Sequence, residues 1–296
     1  MTPMPDAVDE VDARTARRLW QLSEVIHGVV YFNPDALEVI GGSGVKGFWM
    51  GYFGGRAAPM GPVGPELVTA TFYNFHPSMP ARAIPDAWSF ATPAAVLEAR
   101  TAAVGAALRR LLGDEVDGPA VAEAAELAAR AAGACSPQGR PLFAAHLGLP
   151  WPEEPHLRLW HAATLLREHR GDGHVTALLT AGLGGLEAHV VLVAAGVVDA
   201  EQMRRARGWS EDDWASAERG LVDRGLLEPS GGLTEEGARL RREVEAVTDR
   251  LAMEPWDHLG DEATGRLHEL LDPLARRIVA SGELPYPNPM GLTPPG

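Results

Sequence analysis

The sequence predicts an all-α protein with a small β-wing, and three observations carry that prediction. Apolar residues recur at helical spacing along most of the chain, as in Ala16, Leu19, Trp20, Leu22, Ile26 and Val30. Alanine-rich runs with high helix preference extend from Thr92 to Leu112 and from Pro119 to Ala132. Only Leu227 to Leu233, around Ser230-Gly231-Gly232, has the two short apolar ends about a glycine turn that a pair of small strands needs.

A length of 296 residues allows one large or two ordinary domains, each with ample core. Cys135 stands alone, so no disulfide framework and no multi-cysteine zinc site is expected, and nothing hints at an oxidising compartment. The start, MTPMPDAVDEVDARTARRL, lacks the cationic and apolar runs of a secretory signal. The most apolar stretch, VTALLTAGLGGLEAHVVLVAAGVV, is broken by Glu187, His189 and glycines, short of the roughly 18 apolar residues that span a bilayer. A cytoplasmic protein with no membrane partner is expected. The formal charge of −14 opposes nucleic-acid binding, because phosphate contacts need a basic patch.

The elements follow in order. A tail over residues 1–10 precedes a helix from Asp12 to Val30, which delivers His27, Tyr31 and Phe32 before a turn at Asn33-Pro34. The segment from Gly47 to Gly61 is dense in aromatics and glycine, and the theme resumes at Thr71-Phe-Tyr-Asn-Phe-His76. Glycines let backbones approach closely, and aromatics supply flat apolar walls. Thr92-Pro93 caps the first alanine-rich helix, which ends at Leu112-Gly113. A second follows from Pro119, then a loop, a short helix from Pro141 to Leu147, and the turn Pro150 to Pro155.

The stretch Pro155 to His174 carries the densest set of ionisable groups beside apolar surface. Wound at about 100° per residue, it places Leu157, His161, Thr164, Leu165 and Glu168 in one quadrant, with His161 and Glu168 about 10 Å apart. Leu159, Ala163 and Leu166 make a second apolar strip, so the helix is expected to be buried, with a cap at Gly171. Buried groups of this kind must find partners or shift their pKa. The functional reading is a pocket walled by Tyr31, Phe48, Trp49, Tyr52 and Phe53, with Arg56 and Arg170 holding an anionic group. His161 and Glu168 are its candidate catalytic acid–base pair, and His169, Asp172 and His174 complete the ligand-binding set. A purely structural hydrogen-bonded network stands beside that reading. The spacing of His169, Asp172 and His174 fits no strong metal template, so no metal is assigned. Haem ligation by His27 or His161 is allowed but not required, and no motif names a cofactor.

After Gly173 come helices at His174–Ala181, Leu186–Ala195 and Asp199–Arg207, then a capped acidic helix from Ser210, the small wing, and a helix from Thr234 to about Ala252. That order resembles a winged helix-turn-helix, and VDRGLLEPSGGLTEEG resembles MarR-like regulators. Residues 1–172 are thus read as a helical region with the pocket, 173–252 as the winged helix-turn-helix, and 253–296 as a last helix with a Pro/Gly-rich end. Between Ser210 and Glu228, six carboxylates outnumber Arg219 and Arg224, a net charge of −4 that suits a groove-reading helix poorly.

GFWMGYFGGRAAPMGPVG, RAIPDAW, LWHAATLLREHRGDGHVTALL and RGWSEDDW with RGLLEPSGGLTEEG resemble the actinobacterial SalK-like family over about residues 14 to 280. The resemblance implies a helix-turn-helix domain behind a helical N-terminal region, and a setting among natural-product genes, with no reaction or site residue to carry over. Gly54 stands where a slightly bulkier residue such as alanine is expected. Two functions follow. One is a small-molecule-binding protein, as an acid–base or cofactor-dependent enzyme of natural-product metabolism whose winged helix is structural. The other is a ligand-responsive regulator that binds DNA as a homodimer.

Overall fold

Prolines at the first helical turn start many of the helices, where a missing N–H costs nothing, and polar caps start others. In the computed structural model, which describes residues 10–33, 41–286, 288, 292 and 294, these starts give fifteen α-helices among the described residues. The first is α1 (Glu10–Phe32), followed by the short aromatic set α2 (Gly47–Ala57), α3 (Pro65–Phe72), α4 (Ser78–Ala83) and α5 (Asp86–Phe90). Next come α6 (Pro93–Leu112), α7 (Pro119–Gly133), α8 (Pro141–Leu147) and the 26-residue α9 (Pro155–Thr180). The chain continues through α10 (Gly185–Ala194), α11 (Ala200–Arg207), α12 (Glu211–Asp223) and α13 (Glu235–Leu251), and closes with α14 (Glu254–Leu259) and α15 (Asp261–Ala280). Of the expected tail, residues 1–9 lie outside the described residues while Glu10 already opens α1; the turn expected at Asn33-Pro34 is described only as far as Asn33, and much of the Pro/Gly-rich end lies outside as well.

Helix α9 is the axis of the molecule. Its first half packs on α7, where Ala124, Ala125, Ala128 and Ala132 replace bulk with a smooth surface, and on Leu19, Ile26 and Val30 of α1. Large apolar side chains of α15, Leu267 and Leu271, close that core from the other side. A second core gathers Phe53, Phe72, Phe75, Met79 and Ile84 from the aromatic set. The third joins Ala177 and Leu178 at the end of α9 to Val190, Met203, Trp214, Leu221 and Val244.

Two expectations are corrected. No strand forms among the described residues, so the fold is all-α without the β-wing. Leu227 and Leu233 make one isolated antiparallel bridge, flanked by Glu228 N to Gly232 O at 2.8 Å and Thr234 N to Leu226 O at 3.2 Å. The segment is too short for more: Leu226 ends the turn after α12, Gly231 turns the chain at φ 94°, and Thr234 already caps α13 through Gly237 N at 3.0 Å. Nor does a helix end at Gly171. α9 runs on to Thr180, because Gly173 lets α13 and Arg140 approach so closely that an added Cβ would meet Arg140 Nη1 at 2.9 Å and Leu251 Cβ at 3.2 Å. No single described helix is long and apolar enough to cross a membrane.

The segment from Leu183 to Trp209, in the region expected to form the helix-turn-helix, is fastened to the aromatic set. His76 N donates to Arg207 O at 2.9 Å, Trp209 Nε1 to Asn74 O at 3.0 Å, and Tyr73 Oη to Leu183 O at 2.5 Å. Gly208, between α11 and α12, has φ 76° and lies so near Met79 that a Cβ would come within 2.4 Å of its sulfur.

Candidate functional site

The three cores leave a cavity of about 610 Å³ where α1, the aromatic set, α9 and the helix-turn-helix helices meet. In α2 the spacing Trp49, Tyr52, Phe53, Arg56 makes one stripe, and three of the four line the cavity with Tyr31 of α1. Phe53 does not. It is fully buried against Phe72 and Phe75, with ring centres 5.8 and 5.0 Å away, and so belongs to the aromatic core. The alanine expected at Gly54 would fit, since an added Cβ meets only Ala87 Cβ at 3.7 Å.

Several charged side chains meet at the aromatic end. Glu168 accepts from Arg167 Nη1 at 2.8 Å and lies 3.5 Å from Arg56 Nη2, while Arg167 Nε reaches Glu24 Oε1 at 3.4 Å. Burial pushes the Glu168 carboxyl upward, but Arg167 and Arg56 outweigh it and hold it well below the usual carboxylate range. Arg56 also donates to Tyr52 Oη at 3.1 Å, and the Arg207 guanidinium lies 4.6 Å from the centre of the Phe75 ring. Burial alone would raise the Tyr52 phenol; Arg56 and Arg207 bring it below its ordinary value. The field at this end is positive.

Beside it runs a neutral chain. The Thr164 hydroxyl donates to Trp160 O at 2.9 Å, so it accepts from His27 Nδ1 at 2.9 Å, which leaves His27 Nε2 to accept from Tyr31 Oη at 3.0 Å. Burial, then Arg167, keeps His27 far below its ordinary pKa and therefore neutral. Burial raises the Tyr31 phenol to about 12.

His161 and Glu168 are both buried, yet they do not share a cavity. His161 borders a second cavity of about 770 Å³, where its ring meets Trp151 edge-on at 4.7 Å among Arg100, His146 and His156. Arg100 donates to Gly55 O at 3.2 Å and to His146 Nε2 at 3.3 Å, and lies 4.9 Å from the centre of the Trp160 ring. His146 Nδ1 donates to Leu142 O at 2.8 Å, which fixes its tautomer. Burial, then Arg100 and Arg158, lowers His161 to about 4, so it is neutral at pH 7.

The other expected ligand-binding residues are mostly engaged with protein. Arg170 borders the first cavity but bonds Asp249 at 3.0 Å and lies over Trp20 at 4.3 Å. Asp172 Oδ2 accepts from Phe143 N at 3.0 Å, capping α8, and burial raises its carboxyl to about 6. His174 Nδ1 donates to Thr248 Oγ1 at 2.9 Å, because that hydroxyl already donates to Val244 O. His169 turns away, packing on Phe143 and meeting Glu254 Oε2 at 3.1 Å. Sequence reasoning missed Glu24, Arg100, Arg167 as a site residue, and Arg207. Arg100 carried a signal, since it falls on the buried stripe Val96, Arg100, Ala103, Val104, Ala107 of α6.

The model of the helix-turn-helix family matches residues 16–285. No curated protein and no solved structure matches the chain.

Proposed function

The chain belongs to the helix-turn-helix family, and on that footing we propose that it binds a small, anionic, aromatic molecule in the cavity of about 610 Å³. The observation that carries this is a group of guanidiniums inside aromatic walls: Arg56 and Arg167 pair with Glu168 and Glu24, Arg207 lies over Phe75, and together they bring the buried Tyr52 phenol below its ordinary value. An apolar body would stack on Tyr31, Trp49 and Phe75, while its acidic group would take charge-assisted bonds from Arg56 or Arg207. The volume falls within the range of ordinary small-molecule sites. Glu168 serves as counter-ion to the arginines in this reading. A proton-handling role falls better to Tyr31 with His27 than to His161, which borders the other cavity. The resemblance to SalK-like proteins would place the ligand in natural-product metabolism.

Isothermal titration with 2-naphthoate and its neutral amide tests the reading. The carboxylate should bind at one site per chain, the amide more weakly, and Arg56→Met should cost the carboxylate at least about tenfold, or about 1.4 kcal/mol. Equal binding of acid and amide would overturn it.

A second reading, a ligand-responsive regulator acting as a homodimer, is favoured by one observation. The cavity is lined by His189 and Leu192 of α10 and by Met203 and Arg207 of α11, so a bound molecule touches the helix-turn-helix unit itself. The start of α12 opposes it, since Glu211 and Asp212 are exposed where phosphates would lie. A gel shift at about 50 mM salt, with and without the carboxylate, separates the readings, because low salt favours any phosphate contact.

A further inference from the structure

Outside both cavities, three chemically distinct side chains converge from three separate elements. Cys135 follows α7, His169 lies on α9, and Glu254 opens α14; their ligating atoms all lie within 4.8 Å of one another. We infer that Cys135, His169 and Glu254 form a binding site for a soft divalent cation of the zinc type, pinning the junction of α7, α9 and α14.

The donor set selects the ion. A thiolate and an imidazole favour zinc and its neighbours over magnesium or calcium, which prefer oxygen alone. His169 Nε2 and Glu254 Oε2 are 3.1 Å apart, close to the roughly 3.3 Å edge of a tetrahedron with metal bonds of about 2.0–2.1 Å. The Cys135 sulfur, within 4.8 Å of both, would close on them by giving up its weak S–H bond to Ala131 O at 3.3 Å. Glu254 is already oriented, since its Oε1 accepts from Ser136 N at 2.9 Å, the kind of outer bond that steadies a ligating carboxylate.

Charge is balanced as well. One thiolate and one carboxylate cancel a divalent ion, so the nearby Arg140, which donates to the His169 and Leu251 carbonyls, faces a neutral centre. The Glu254 side chain is 33% exposed, and residues 133–134 and 137–139 beside Cys135 are exposed, which gives the ion a path in and leaves the fourth position to water. A Cys–His–Glu nucleophile is the other chemistry these residues suggest. It lacks a place for substrate, because none of the three lines either large cavity.

The test uses the full chain, stripped with a chelator and titrated with Co(II) and Zn(II). One Co(II) per chain should bind with a thiolate-to-cobalt charge-transfer band in the near ultraviolet, displaced by Zn(II) but not by Mg(II). Because Cys135 is the only cysteine, alkylation by iodoacetamide reads it alone, and Zn(II) should slow that alkylation more than about tenfold where Mg(II) does not. Cys135→Ser should abolish the band and weaken Zn(II) at least roughly a hundredfold, and Glu254→Gln should weaken it at least roughly tenfold, given that even outer-bond losses cost 10–100-fold. Should Cys135→Ser fail to fold, Glu254→Gln and the alkylation rate still decide. Absence of the band, unprotected alkylation, or unchanged Zn(II) affinity in Glu254→Gln would overturn the site.

Discussion

The two cavities border the same helix, and His161 and Glu168 lie on one face of it, yet Glu168 is ionised and His161 is neutral. At the first, α1 brings Glu24 and α2 brings Arg56, so that ionised Glu168 sits among guanidinium groups. At the second, α6 brings Arg100 and α8 brings His146, and that buried arginine meets a carbonyl, a neutral imidazole and the Trp160 ring. A helix face decides which groups are buried. Against burial, Arg167 of the same helix and then Arg56 of α2 keep Glu168 ionised, whereas burial and then Arg100 of α6 keep His161 neutral.

The sharpest way to break this contrast is to neutralise Glu168. Glu168→Gln leaves Arg56 without its carboxylate and Arg167 with Glu24 alone, and should cost about 3–5 kcal/mol, the range for breaking a buried pair from one side. Urea unfolding at pH 7 measures it, and His161→Ala should cost less, about 1–3 kcal/mol. Equal losses would mean the two sites are electrostatically alike.

Acid titration sharpens the difference. The folded chain keeps His161 neutral down to about pH 4, whereas an unfolded histidine takes a proton below about 6.5. The unfolded state therefore binds more protons in that window, and stability falls as pH drops from about 6.5 toward 4, by up to about 3 kcal/mol from this group. His146, lowered to about 3 by burial and then by Arg100, adds to the slope. In His161→Gln the difference between urea midpoints at pH 7 and pH 4 should shrink. An unchanged difference would show that His161 is protonated in the fold.

Two smaller effects probe the seams. Gly208→Ala puts a side chain at φ 76° against Met79, and should cost about 1–3 kcal/mol in a thermal melt. Tyr31→Phe deprives His27 Nε2 of its donor and should cost about 1–2 kcal/mol. That loss should leave the acid slope of His161 intact.

Much of the helical plan was legible because caps and prolines mark starts in one dimension: Thr92-Pro93, Ser210 and Thr234 all begin helices where their side chains predict. The burial of His161 and Glu168 followed from periodicity, whereas Gly47 to Gly61 showed only its density of aromatics and glycine, and the helix that aligns Trp49, Tyr52 and Arg56 was not read there. The wing failed because a turn with glycines and apolar ends specifies a reversal but not the extra residues a ladder needs. The break at Gly171 failed because a glycine that admits a neighbouring helix reads, in sequence, like one that ends its own. Which cavity His161 joins depends on Arg100, 61 positions away, and no local pattern encodes that meeting.

The continuity of α9 through Thr180 bears on how the molecule can be dissected. A fragment begun at residue 173 would start inside a helix, exposing four amide groups that now bond to the preceding turn, and Ala177 and Leu178, which seat the third core, would sit on a frayed end. Expressing the helix-turn-helix unit alone therefore calls for the whole of α9, from Pro155, with polar replacements on the strips that α1 and α7 cover.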